Sequence, residues 1–245
     1  MTLKSVTRTY GAGEARVRVL DGVDLAIEPG AFVALTGPEG GGKGTLLNLI
    51  GCLDLPDEGE VWIDGTLTAA LGEAQRDAFR RRTVGMIFHA ADLVPVLSAR
   101  DNVALPLWLH TMSAVERDAR AAQALAAVGL EPFAECLPAR LTAAQCRRVA
   151  LARAVVAGPR LLVADDPTAN LDAPEACAFI ELLWRLNATH GLTSVFSTCD
   201  ERLLKKAHPV VELAAGRIAT TPQSVPLGRV AHRAAFRHHK RKDSR

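Results

Sequence analysis

The chain has 245 residues, 49% of them apolar and 23% charged, a balance that excludes wholesale disorder, a collagen-like repeat and a coiled coil. At roughly 150 residues per domain it holds about one and a half domains, so one main core with room for a subdomain is expected. The net charge of +2 hides an asymmetry: residues 229–245 carry seven Lys or Arg against the single Asp243, a tail of +6 on a body of −4. No apolar run approaches the ~18 residues of a membrane span; the nearest, 103–109, contains Pro106. Met1-Thr-Leu-Lys4 leads into an alternating pattern without an apolar signal core, which points to the cytosolic side of the membrane. The scattered Cys52, Cys136, Cys146, Cys177 and Cys199 form no CxxC pair and read as reduced thiols, not as a disulfide framework or zinc cluster.

In chain order, Val17, Val19, Leu25 and Ile27 alternate, which predicts short antiparallel strands separated by a turn at Asp21-Gly22. Glu28-Pro-Gly30 is a second turn, and the apolar run 31–35 then reads as a buried parallel strand. It enters a glycine-rich loop, 37–42, followed by the helical pattern 45–50. Further strands are expected at 59–63, closed by Asp64-Gly65, and at 84–88. From 99 to 157 the composition turns helical and Ala-rich, punctuated by Gly129 and Pro132. The apolar run 160–164 ends in Asp165-Asp166-Pro167; a helical segment at 175–190 and a strand at 193–197 follow. Buried strands alternating with helices predict an open, mainly parallel α/β sheet, whose ligands bind outside the carboxyl ends of the strands. The glycine-rich loop, Asp165-Asp166 and Cys199 all fall on that edge.

Gly37-Pro-Glu-Gly40-Gly-Gly42-Lys43 has the form of a phosphate-binding loop. Its glycines let backbone N–H groups point inward, and the following helix adds its positive end. Polyphosphate is the expected ligand. The pattern next calls for Ser or Thr to hold Mg²⁺, and this chain has Gly44.

Leu141-Thr-Ala-Ala-Gln145, Arg148-Val-Ala-Leu-Ala-Arg-Ala154, Gly158-Pro159 and Leu161-Leu-Val-Ala-Asp-Asp-Pro-Thr-Ala-Asn-Leu-Asp172 follow in order. On these motifs, and on Thr45-Leu-Leu-Asn-Leu-Ile-Gly51, the chain up to about residue 220 resembles the nucleotide-binding subunit of an ABC transporter, closest to the subfamily of MacB, LolD and FtsE. The resemblance implies a RecA-like P-loop α/β core with an N-terminal antiparallel β subdomain and a helical subdomain inserted at about 99–157. It implies one nucleotide-binding domain over 1–222, with a basic tail over 223–245. It further implies ATP and Mg²⁺ as cofactors, an integral-membrane permease as partner, and a peripheral place on the cytoplasmic face of the inner (plasma) membrane. A second nucleotide-binding subunit, identical or different, packs head to tail, so that each ATP lies between the P-loop of one copy and the signature helix of the other. By position, Gly37, Gly40, Gly42, Lys43 and Thr45 match nucleotide-binding groups. Tyr10 matches the aromatic that stacks on adenine, and Asp165 the carboxylate that orients Mg²⁺ through water.

Several positions depart from the family pattern. Gly44 lacks the Mg²⁺-binding hydroxyl, and His89 replaces the glutamine that senses the γ-phosphate. In the signature, Thr142 keeps a hydroxyl and Gln145 is retained, but Ala143 and Ala144 add methyl groups where the family has glycines. Asp166 is one methylene shorter than the catalytic glutamate, and Cys199 replaces the γ-phosphate histidine. Together these predict a degenerate pseudo-ATPase with weak nucleotide binding, a weakened Mg²⁺ site, little or no hydrolysis, and a structural or regulatory role on a permease. The alternative is an active ATPase powering export or lipoprotein release. The tail offers charge to anionic lipid headgroups or nucleic acid, but Phe236 is its one aromatic; nucleic acid is the less favoured partner, and a solvated terminus the favoured reading.

Overall fold

The computed structural model describes residues 1–220, so the basic tail and the end of the 1–222 span lie outside the described residues. Strands β1 (Thr2–Tyr10) and β2 (Val17–Ala26) open the chain, and β3 (Phe32–Thr36) runs through the glycine-rich loop into α1 (Lys43–Ile50). Next come β4 (Glu58–Ile63), β5 (Thr66–Leu67), α2 (Glu73–Thr83) and β6 (Val84–Ile87). Helices α3 (Ala99–Ala104), α4 (Ala114–Ala127) and α5 (Ala143–Val155), joined by short 3₁₀ turns, form the inserted helical subdomain. The chain returns through β7 (Leu161–Asp165), α6 (Ala173–His190), β8 (Thr193–Ser197), α7 (Glu201–Lys206), β9 (Val210–Ala214) and β10 (Arg217–Thr220).

Two sheets result. The first is antiparallel, in the order β2-β1-β4-β5. The second has the order β10-β9-β3-β8-β7-β6 and is parallel from β9 to β6, with β10 antiparallel at its edge. This is the α/β P-loop architecture, with antiparallel subdomain and helical insertion, that the sequence implies. One local expectation is corrected: Asp21-Gly22 is not a turn between separate strands. β2 runs straight through it, and the pairing moves from Val6↔Val23 to Arg8↔Leu20, so the extra residue is absorbed as a β-bulge.

Covering both faces of the parallel sheet explains its continuous apolar strands. Val33 and Leu35 of β3 join Val163 and Val195 in a core shared with α1 and the antiparallel sheet. Phe32, Ala34, Leu162 and Phe196 point the other way, into the core built with α3 to α6. There Phe32 and Phe196 meet edge to face with ring centroids 4.6 Å apart. The two functional helices α1 and α5 thus lie on opposite faces of one sheet. Among the described residues, no helix is long and apolar enough to cross a membrane.

The edge strand β6 approaches α5 so closely that a Cβ at Gly85 would sit 2.1 Å from the carbonyl oxygen of Ala154. Backbone cannot yield as a side-chain tip can. Gly85→Ala is therefore expected to cost about 1–3 kcal/mol, read as a lower urea midpoint at unchanged slope. An unchanged midpoint would show that the helical subdomain shifts away freely.

Candidate nucleotide site

The parallel register brings three strand ends level. Ser197 of β8 pairs with both Leu35 of β3 and Asp165 of β7, while Ile87 of β6 pairs with Ala164. The Thr198 N–H donates to the Leu35 carbonyl at 3.0 Å and the Asp166 N–H to the Ser197 carbonyl at 3.1 Å, continuing the ladder past the strands. The glycine-rich loop, Asp165, Asp166 and Cys199 therefore leave the sheet along one edge, as expected, and His89 leaves it there too.

The loop is shaped for an anion. Gly37 adopts φ +130°, and a Cβ there would meet the Leu213 carbonyl oxygen at 2.0 Å, so only glycine fits. Lys43 folds back, its Nζ donating to the carbonyls of Gly37 and Pro38, both at 2.8 Å. Gly42 starts α1 without a side-chain acceptor for the first N–H groups, whereas α3 to α7 are capped by Ser98, Ser113, Thr142, Asp172 and Asp200. Free N–H groups and the positive end of a helix suit phosphate. Gly40 and Gly44 are exposed, and a Cβ at Gly44 would meet nothing within 4 Å. Thr45 lies half-buried in the first turn.

Ser197 ties the two acids together, one by its side chain and the other by its main chain. Its hydroxyl donates to Asp165 Oδ1 at 2.5 Å, and its Oγ accepts the Asp166 N–H at 3.0 Å. Asp166 sits at φ +42°, a left-handed conformation that Asp tolerates better than most residues. Burial pushes its carboxyl above the ordinary range; the charges of His89 and Arg147 pull it down, and Asp165 and Asp200 push it up. Asp200 itself is held at about 2 by the Arg202 fork. A partly desolvated carboxylate raised towards working pH is what a proton acceptor at this edge requires. Cys199 is exposed between Thr198 and the Asp200 cap of α7.

The signature run starts α5 on the opposite face of the sheet from α1, so one chain does not bring it to its own loop. Thr142 Oγ1 accepts the Gln145 N–H at 3.2 Å, and Gln145 Oε1 accepts the Thr142 N–H at 2.9 Å, a reciprocal cap that leaves the Thr142 hydroxyl proton free to donate. Ala143 is exposed beside His89, Ala169 and Asn170, whereas Ala144 is buried. Tyr10 ends β1 at 39% exposure; its hydroxyl donates to Asp54 at 2.8 Å, and the Arg8 guanidinium lies 4.9 Å from its ring centroid. Its partner in β2, Val17, is two residues from Val19, whose carbonyl backs Gly42.

Two contributors escape the motif reading. Ser197 closes the strand Thr193–Ser197, where the motif reading names only Cys199 beyond it. Arg147 is signalled by a cation on the stripe Ala144, Arg147, Leu151, Ala154, which α5 buries.

The sequence profile of the ABC transporter family matches residues 20–169. The chain belongs to the ABC transporter family, as an ATP-binding domain. The domain is 39% identical over 213 residues to the lipoprotein-releasing system ATP-binding protein LolD of Bordetella avium, covering 87% of this chain and 93% of that one. It is 40% identical over 220 residues to the ABC transporter ATP-binding protein MJ0796 of Methanocaldococcus jannaschii, with 88% and 94% covered. It is also 41% identical over 216 residues to the macrolide export ATP-binding/permease protein MacB of Hyphomonas neptunium, covering 88% of this chain but 33% of that longer protein. The dimeric, post-hydrolysis structure of MJ0796 bound to ADP and phosphate matches at a TM-score of 0.83 and 39% identity, over 89% of this chain and 96% of that one.

These findings overturn the expectation of a pseudo-ATPase. A cassette sharing nearly the whole fold with this chain has been captured after hydrolysis with both products bound. At the catalytic position the departure is also partial: Asp166 keeps a carboxylate, with raised proton affinity.

Because the folded-state value of Asp166 lies above the ordinary 3.8, its contribution to stability is complete below that value and is lost as pH rises through the raised one. Asp166→Asn should raise the thermal midpoint at neutral pH, and the gain over the parent should close as pH falls towards 3.8. Melting curves across that interval measure both; a neutral-pH midpoint at or below the parent's would contradict the assignment.

Proposed function

We propose that the chain is an active ATP-hydrolysing subunit of an ABC transporter, working as a head-to-tail pair on a membrane permease at the cytoplasmic face of the membrane and powering export or lipoprotein release. The observation that carries this reading is the single edge holding an anion-shaped loop, two carboxylates and His89. Lys43 leaves the carbonyls of Gly37 and Pro38 for phosphate oxygens, joined by the loop N–H groups and Thr45, while the Tyr10 ring stacks on the base. The donor set fits Mg²⁺, which favours carboxylate, phosphate and several waters. Asp165 would hold it through water, with a further water in the place that Gly44 leaves; when bound, the ion supplies charge neutralisation at the phosphates. Asp166 accepts the proton of the attacking water, with His89 and Cys199 facing the same phosphate. The Thr142 hydroxyl and the first N–H groups of α5, with Ala143, Ala144 and Gln145, serve the nucleotide of the other copy. This division agrees with α1 and α5 lying on opposite faces of the sheet.

For the permease, the favoured surface is a groove of about 400 Å³ lined by Met86, Phe88, Pro106, Leu109, Arg80 and Arg81. Phe88 and Leu109 are exposed at 40% and 65%, a half-apolar, half-basic seat for a cytoplasmic segment of a membrane protein. The +6 tail adds attraction to anionic headgroups.

Purified chain with ATP and Mg²⁺ should turn over on the order of 1 per second. Lys43→Ala and Asp166→Asn should each reduce this by about 100-fold or more. Parent turnover no higher than that of Asp166→Asn would end this reading.

A further inference from the structure

Two arginines of α5 hold one loop by its backbone. Arg147, only 5% exposed, donates to the carbonyls of Phe88 at 3.0 Å, His89 at 2.8 Å and Ala169 at 3.1 Å. Arg153, half-buried, donates to the carbonyls of Ala91 and Asp92, both at 2.8 Å. Among the described residues, neither guanidinium makes an ion pair. Burying a cation against neutral carbonyls is costly. Burial lowers the proton affinity of Arg147, and the charges of Asp166 and Asp92 partly offset that. A side chain kept under those conditions has its geometry to explain it.

We infer that Arg147 is a positioning residue for ATP hydrolysis: from the signature helix it locks the loop bearing His89 to the turn bearing Ala169 and Asn170, and so sets His89 and Asp166 relative to each other. The planar fork suits this, because its two terminal nitrogens diverge. One reaches Phe88 and His89 and the other reaches Ala169. A lysine, a point donor on a flexible stem, would reach one loop only. With Arg153 holding the carbonyls of Ala91 and Asp92, the segment from Phe88 to Asp92 is bound to α5 at four of its five main-chain carbonyls. Phe88 and Asp92 also line the 400 Å³ groove. A push at the groove therefore reaches the start of α5 and the turn after Asp166 together.

The inference rests on the proposed ATPase activity, and the test separates the two. Arg147→Gln and Arg147→Lys are compared with the parent in the full chain, reading ATP turnover against ATP concentration and amide exchange over residues 88–92 and 168–171. Expected in both variants are a kcat lowered about 10- to 100-fold, the scale of a misplacement near 1 Å, and a KM within about 3-fold of the parent; exchange should be faster in both segments for Arg147→Gln and in at least one for Arg147→Lys. Arg147→Lys keeps the cation, so its thermal midpoint should lie nearer the parent while its kcat stays low; this covers failure of Arg147→Gln to fold. A retained kcat in either variant, or loosening of one segment alone in Arg147→Gln, overturns the inference. If the parent itself shows no turnover above Asp166→Asn, the ATPase reading falls separately. Exchange then decides the tether: joint loosening of both segments supports it, and an unchanged pattern overturns it.

Discussion

The parallel register across β3, β8, β7 and β6 is the constraint from which the site follows. Leu35, Ser197 and Asp165 stand in one row, so the next residues of each strand emerge together. Strand side chains alternate between faces, and a slip of one residue in β7 would exchange the directions of Ala164 and Asp165. The Ser197 hydroxyl would then lose Asp165, and the Asp166 N–H would lose Ser197. Alternating burial on two covered faces forbids that slip: Leu162 and Ala164 belong to one core, Leu161 and Val163 to the other. The packing that stabilises the sheet and the alignment that assembles the chemistry are the same fact.

Much of this was legible in the residues. Apolar runs at 31–35 and 160–164 announced strands buried on both faces, 193–197 read as a third strand, and the acids closing the second run located the edge. What escaped has physical reasons. Asp21-Gly22 has turn chemistry, yet its neighbours pair with β1 on both sides, and tertiary pairing absorbed it as a bulge. Helix α2 has few apolar residues, Ala74, Ala78 and Phe79 among eleven, too few to reveal a buried face. β9 and β10, at five and four residues, are too short for alternation to announce them.

The error about activity came from treating substitutions as changes of letter. Whether a methyl obstructs depends on where it points. At the start of a helix, adjacent residues are turned by about 100°, so Ala143 is exposed while Ala144 is buried. A side chain's absence matters as its surroundings dictate, and Gly44 faces open space. Asp166 lost a methylene but stands in a desolvated position beside other acids, where its proton affinity rises. None of these directions is written in a one-dimensional motif; each requires helix phase or strand register first.

The bare opening turn of α1 has a last consequence. Helices α3 to α7 close their first turn with a side chain of their own; α1, like α2, does not, and in α1 the open turn follows a loop shaped for an anion. Occupancy then enters the folding equilibrium by mass action: a ligand at 100 times its Kd adds about 2.7 kcal/mol to the folded state. That increment acts where β3 meets α1, at the junction of the two sheets, so abundant nucleotide makes the chain a sturdier object, and starvation for it a more perishable one.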